Sequence, residues 1–317
     1  MSETLPTVTV VIPARPGQIE VKAVAASRQL DYPGDRLEII LARGSHPSVQ
    51  RNAAIREARG ELIYFLDDDS VPHPGNLRRA ASHFRRPEVQ MAGGPALCPA
   101  ESPALEKVFA MVMGSRLAFF TSRARYQAVG RLRETGEKEL ILCNLLARRL
   151  TLVEAGGFDE ALYPNEENAL MDDVQRRGGR LLYDPELVAY RRPRQSLGAF
   201  AKMLMTYGRG RAEQFRLHPT PGSAPNFVPP LFCVYLVLTP LLPAWCLWPW
   251  AGYGLALIGQ AVVLKGGSFI FKICALPLIF LSHVFYGLGF WRGLFTSLSQ
   301  TGGQAPAGVI LERVKEM

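Results

Sequence analysis

Three consecutive carboxylates, Asp67-Asp68-Asp69, close the apolar run Glu61-Leu62-Ile63-Tyr64-Phe65-Leu66. Adjacent carboxylates repel one another unless a cation or several donors meet them. Mg2+ held by one or two carboxylates together with substrate phosphates is a common solution, so Asp67 and Asp69 are candidate metal ligands. An Asx turn, or a cap for the helix that starts at Asn76, is the competing structural role. A second acidic pair, Glu166-Glu167, follows Tyr163-Pro164-Asn165 and opens another helix. It is either ordinary first-turn acid facing the helix dipole or a source of general base. Arg191, Arg192 and Arg194 form a cationic group able to grip phosphate bidentately or to mark the cytoplasmic flank of a membrane segment. Tyr207-Gly208-Arg209-Gly210-Arg211 reads either as a phosphate clamp for an acceptor or as an interfacial helix. Asn144, before Arg148 and Arg149, is a weaker candidate for an acceptor pocket.

Strand ends must position these groups. Val8-Thr9-Val10-Val11-Ile12, closed by Pro13, has the β-branched continuity of a buried parallel strand. Leu37–Leu41 predicts a second strand and Glu61–Leu66 a third, with helices over Glu20–Leu30 and Val49–Arg59, the latter ended by Gly60. This alternation predicts an α/β fold with an open, mostly parallel sheet, in which ligands bind beyond the carboxyl ends of the strands. A helix is expected over Asn76–Phe84 and another over Asn168–Arg177, stopped by Gly178-Gly179. Leu140–Ala147 and Leu181–Tyr190 read as extended. Neither GxGxxG nor GxxxxGK[ST] occurs, which argues against a dinucleotide or Walker site.

Composition divides the chain. Phe227–Trp291 spans 65 residues with two charges, Lys265 and Lys272, while the other 252 residues carry 62 of the 64 charges. That contrast argues against a purely soluble protein and against a purely transmembrane one. Apolar segments at about Val228–Leu247 and Phe269–Trp291 are long enough to span; Trp250–Leu264 falls short of the ~20 residues a span needs. Seven cations from Arg191 to Arg216, opposed only by Glu213, place that flank in the cytoplasm. The polar N-terminus has no secretory pattern, so the polar domain is expected in the cytosol. The organisation predicted is a catalytic domain over 1–190, a basic interfacial segment over 191–226, a membrane region of two or three helices over 227–292 and a tail over 293–317. The five cysteines are scattered without metal spacing. The five histidines likewise suggest structural or surface roles.

The order of these motifs resembles the family 2 glycosyltransferases, inverting enzymes of the nucleotide-diphospho-sugar-binding (GT-A) fold. The resemblance runs from Val8 to Arg211. It rests on V-V-I-P-A-R at 10–15, R-N-A-A-I at 51–55, F-L-D-D-D-S at 65–70, G-G-P at 93–95, G-G-F-D-E at 156–160 and Y-P-N-E-E-N at 163–168. R-R-P-R-Q-S-L at 191–197, Y-G-R-G-R at 207–211 and the apolar tail are similar to members acting on lipid-linked acceptors in surface polysaccharide assembly. The resemblance implies Asp67 and Asp69 as the D-x-D ligands of Mg2+ or Mn2+, and Glu167 as the general base with Glu166 beside it. It also implies a nucleotide-sugar site drawing on Arg15, Asp67, Asp68, Arg191, Arg192, Arg194, Arg209 and Arg211. Two departures stand out. Arg43 occupies the place where the family commonly has a nucleoside-binding acid, and the Q-x-x-R-W motif of processive synthases is missing, which favours transfer of a single sugar.

The function expected is therefore a membrane-attached inverting transfer from a nucleotide sugar to a lipid-linked or polyprenyl acceptor. Transfer to polyprenyl phosphate itself is a close variant, and a non-catalytic lipid- or partner-binding protein on the same fold is an alternative of another class. Nucleic-acid binding from the net charge of +8 is discounted, because the cations cluster beside the apolar segments rather than among exposed aromatics.

Overall fold

The computed structural model describes residues 5–162, 164–217, 219, 221–297 and 308–317. Its strands are β1 (Val8–Ala14), β2 (Leu37–Arg43), β3 (Leu62–Phe65), β4 (Val71–Pro72), β5 (Val89–Gly93), β6 (Ala96–Leu97), β7 (Arg133–Thr135), β8 (Leu145–Arg148), β9 (Arg180–Tyr183), β10 (Ala189–Tyr190) and β11 (Ile310–Lys315). Its helices are α1 (Lys22–Ser27), α2 (Pro47–Glu57), α3 (Asn76–His83), α4 (Ala104–Met113), α5 (Arg116–Phe119), α6 (Arg149–Glu154), α7 (Glu166–Arg176), α8 (Leu197–Leu217), α9 (Val228–Leu238), α10 (Trp248–Val263) and α11 (Phe269–Phe295).

An eight-stranded sheet runs in the order β11-β2-β1-β3-β8-β5-β9-β7. Strands β2, β1, β3, β5 and β9 point one way; β8, β7 and β11 oppose them. The sheet is thus open and parallel in its majority direction, but mixed, because β8 intervenes between β3 and β5. β1 is buried at all seven positions. Its alternate side chains feed two cores: Val8, Val10 and Ile12 on one face, and Val11 with Ala54, Ile55, Leu170 and Met171 on the other. The helical stretch expected over Glu20–Leu30 is only α1, and the extended run 181–190 splits between β9 and a small sheet ordered β4-β10-β6.

Beyond α8, three helical segments are long and apolar enough to cross a membrane: Gly222–Leu241, Ala244–Val263 and Phe269–Phe295. The middle one is longer than the sequence suggests, because a 3-10 turn at Ala244–Leu247 runs into α10. A third core joins Val108, Phe109 and Val112 of α4, Phe200 and Leu204 of α8, and Ala275, Leu278 and Ile279 of α11. The stretch 191–226, expected as an interfacial segment, contains α8, whose buried face packs along α11. The expected tail contains β11, which completes the eight-stranded sheet beside β2.

Candidate active site

A cavity of about 1050 Å3 opens beyond the carboxyl ends of β1, β2 and β3. Ala14, Arg15 and Pro16 after β1, Gly44, Ser45 and His46 after β2, and Asp67 and Asp68 after β3 form one end. Glu166 and Glu167 at the start of α7, and Tyr207 and Arg211 of α8, form another wall. Its volume is that of a pocket for a sizeable ligand.

Two arginines organise the acids. Arg51 of α2 lies 2.9 Å from Asp67 Oδ1 and 3.1 Å from Glu166 Oε1, so one buried guanidinium ties the strand-end aspartate to the α7 pair. The next residue, Asn52, donates to the Phe158 carbonyl and accepts from the Phe158 amide, both at 2.8 Å. This clamp needs Gly157, where φ is +79° and a Cβ would sit 2.5 Å from Asn52 Oδ1. The segments 51–55 and 156–160 are therefore two halves of one contact. Arg191, delivered by β10, bridges the triple acid with 2.7 Å contacts to Asp67 Oδ2 and Asp69 Oδ1. The repulsion read from the sequence is thus met by arginines.

Burial pushes Asp67 up, but Arg191, Arg51 and Arg194 more than offset it and hold the carboxyl below its ordinary range. Asp69 goes the other way: burial raises it, Arg191 compensates only in part, and Asp67 and Asp68 add to the rise. Burial and the neighbouring Glu167 push Glu166 up to about 8 against the pull of Arg51. The direction follows from burial, which disfavours the charged form of Glu166. Glu167 is half-buried, lines the cavity and makes no hydrogen bond or ion pair among the described residues. Asn165 precedes it with φ 106°, a costly backbone for a non-glycine residue. Its buried Nδ2 has no hydrogen-bond acceptor among the described residues.

Asp67 and Asp69 fit a divalent cation in one specific way. Both are hard oxygen donors at a strand end, and the Asp69 charge is incompletely compensated. Among the described residues no three His, Cys, Asp or Glu side chains converge into a protein-only cage. The donor set suits Mg2+ or Mn2+ completed by phosphate oxygens.

The cavity thus collects Arg15, Asp67, Asp68, Glu166, Glu167, Arg191, Arg194 and Arg211. It does not collect three others. Asp69 joins through Arg191, Arg192 turns to Glu106, and Arg209 lies 3.4 Å from Glu213. Arg211 is paired as well, 2.9 Å from Glu137. Asn144 is not an acceptor-pocket residue: it is fully buried, bonded to the Tyr64 hydroxyl and to the Pro95 and Leu187 carbonyls. Sequence reasoning assigned no role to Arg51, Asn165 or Lys138, all of which line the cavity. For Arg51 and Asn165 the signal was present in the 51–55 and 163–168 motifs; Lys138 lies in no motif. His46 and His283 also line it, beyond the structural roles expected of them.

Residues 22–141 match the sequence model of glycosyl transferase family 2. That stretch contains Arg51 and the three aspartates after β3, and it is less than half of the chain. The chain is 23% identical over 203 residues to the pre-mycofactocin glycosyltransferases of two Mycobacterium tuberculosis strains, a match covering 60% of this chain and 40% of theirs. The chain therefore matches less than half the length of those relatives. Among solved structures it is similar to a mannosyltransferase from Pyrobaculum calidifontis in complex with GDP-Man and Mn2+, at a TM-score of 0.54 and 17% identity, over 92% of this chain and 88% of that one. That likeness is one of fold. This chain has the same kind of mixed α/β core, followed by three helical segments long and apolar enough to cross a membrane.

Proposed function

We propose that this chain is a membrane-attached, metal-dependent, inverting glycosyltransferase that moves one sugar from a nucleotide-sugar donor to a lipid-linked or polyprenyl acceptor. The observation that carries the reading is Glu167, a carboxylate with no hydrogen bond or ion pair among the described residues, in the same cavity as Asp67 and Asp68. The nucleotide sugar lies along the ends of β1 to β3, with its diphosphate toward Asp67, Arg191 and Arg194. Asp67 and Asp69 would hold Mg2+ or Mn2+, which supplies charge neutralisation for the leaving diphosphate. Glu167 takes the proton of the acceptor hydroxyl as that oxygen bonds to the anomeric carbon and the carbon–phosphate-oxygen bond breaks. Such a base contributes about 10²–10⁴-fold. Glu166 sits beside it, and Arg51 ties Glu166 to Asp67 across the site. A single base suffices, because the departing diphosphate is stabilised by cations rather than protonated.

Pro229 of α9 and Ser282, His283 and Tyr286 of α11 line the same cavity, which supports an acceptor coming from the membrane. A phosphate-bearing acceptor is favoured by Lys138 and Arg194, cavity cations that form no ion pair among the described residues. The test is a donor panel offered to membranes containing the protein with Mn2+ or Mg2+. Release of nucleoside diphosphate, accelerated by polyprenyl phosphate or by a lipid-linked sugar, is expected. No turnover with any donor would leave the binding-protein alternative.

A further inference from the structure

The apolar helices occupy the chain between α8 and β11, and β11 is hydrogen-bonded to β2 in the catalytic sheet. A chain that leaves a sheet on one side of a bilayer and returns to the same sheet has crossed an even number of times. Three crossings are excluded.

The positions of the helix ends narrow this further. The turn between α10 and α11 touches α4, which lies between β6 and β8 of the catalytic domain: a Cβ on Gly267 would be 2.7 Å from Met111 Cε, and Leu264 is buried with Val108 and Phe109. At the other end of α11, Arg216 of α8 donates to the carbonyls of Gly293 and Thr296. Between these ends Gly289 and Gly293 press against the backbone of Met205 and Arg209. Both ends of α11 are on the catalytic side, and its flank is lined by a helix containing Lys202, Arg209, Arg211 and Arg216. Charged side chains at a bilayer centre are costly and rare. α11 does not cross.

The α9–α10 pair is tied to α11 in the same way. Phe232 of α9 and Trp250 of α10 both meet the Phe280 ring, with centroids 5.8 Å and 6.3 Å away. Farther on, Gln260 accepts from the Leu117 amide at 2.9 Å. Past the level of Phe280 only residues 233–249 remain to go out and come back. About eight residues each way reach about 13 Å as α-helix or about 17 Å as 3-10 helix. The hydrocarbon core is about 30 Å thick.

We infer that α9, α10 and α11 form an apolar platform that sinks into one leaflet of a phospholipid bilayer and crosses nothing. Leu241, Val237, Trp245, Val262 and Phe269 are each at least 76% exposed, far more apolar surface than a soluble monomer tolerates in one region. The tract carries Lys265 and Lys272 and no acid, which suits anionic headgroups. Because α9 and α11 also line the cavity, an acceptor lipid enters sideways from that leaflet; this last step alone rests on the glycosyl-transfer reading.

Sided labelling tests the platform. In a background with the five cysteines replaced, Pro243→Cys, Lys265→Cys, Glu316→Cys and the exposed catalytic-domain control Arg56→Cys are probed with an impermeant maleimide on intact and opened cells. Positions 265 and 316 should label only together with 56, and position 243 from neither side. Labelling of 265 or 316 from the face opposite to 56 would overturn the parity argument, and labelling of 243 from that face would show a spanning hairpin. Should the cysteine-free chain fail to fold, wild-type protein added to vesicles of brominated phospholipid gives an independent reading. Its four tryptophans lie at 245, 248, 250 and 291, and their emission should be quenched; unquenched emission would reject insertion. Neither readout depends on sugar transfer, so a catalytically inert chain would overturn the proposed activity and leave the platform standing.

Discussion

Arg43 Nε lies 2.6 Å from Glu312 Oε1, joining the end of β2 to the last strand of the chain. The same guanidinium donates to the Gln18 carbonyl at 2.7 Å, and the Gln18 side chain donates to Asp68 Oδ2 at 2.9 Å. Where the family commonly has a nucleoside-binding acid, this chain has a brace for the loop after β1. Glu312→Gln should weaken the brace more than the fold. The pair is part-exposed, and such pairs contribute about 0–1 kcal/mol. A several-fold rise in donor KM with little change in kcat and thermal midpoint is expected from steady-state kinetics and melting. An unchanged KM would mean that the loop does not touch the donor.

Replacing the proposed base separates chemistry from binding. Glu167→Gln keeps shape but cannot take a proton, so single-turnover transfer to a hydroxyl acceptor should fall by about 10²–10⁴-fold while donor titration is unaltered. The loss belongs in kcat, since the proton moves only in the transition state. With a phosphate acceptor, which arrives ionised, the same variant should retain most of its rate.

Asp69→Asn addresses the metal. Its carboxyl is raised in the folded protein, so the ionised form opposes folding and that opposition grows as pH rises through the folded value. Removing the charge should leave the metal-free melting temperature at pH 7 equal or higher while abolishing Mn2+-dependent donor binding by calorimetry. Intact metal-dependent binding would remove Asp69 from the site.

Glu166 predicts a pH signature of stability. Its folded value of about 8 lies above the ordinary 4.5, so the folded state binds the extra proton. That stabilisation is complete below about 4.5 and is lost as pH rises toward 8. Glu166→Gln should flatten the melting-temperature profile across this window, read by calorimetry at several pH values. A profile parallel to that of the wild type would show that Glu166 is already ionised.

Much of the first half of the fold was legible because buried parallel strands such as Val8–Ile12 advertise themselves by continuous β-branched residues, and the D-x-D sits where such a strand must end. The acidic pair was legible as a motif, since two glutamates opening a helix are local. What sequence could not reveal were long-range partners. Arg51 meets Asp67 and Glu166, 16 and 115 residues away; the 51–55 motif marks its position but not the partners it reaches. The strand β11 was hidden for another reason: Ile310–Lys315 is half charged, the pattern of an edge strand whose arginine and glutamate seek partners across the sheet. Arg192 and Arg209 looked equivalent to Arg191 in composition, and only the placement of α4 and α8 separates them.

Biosynthesis gives β11 a further meaning. Glu38, fully buried on β2, accepts from Thr9 Oγ1 and the Arg59 amide and is ion-paired with Arg313 of β11. Until residue 313 leaves the ribosome, that carboxylate lacks its cation and the edge of β2 lies open. Every apolar helix is translated before that moment. The eight-stranded sheet therefore reaches its final order only after the apolar helices exist, so nascent chains interrupted within them carry an unfinished, association-prone edge.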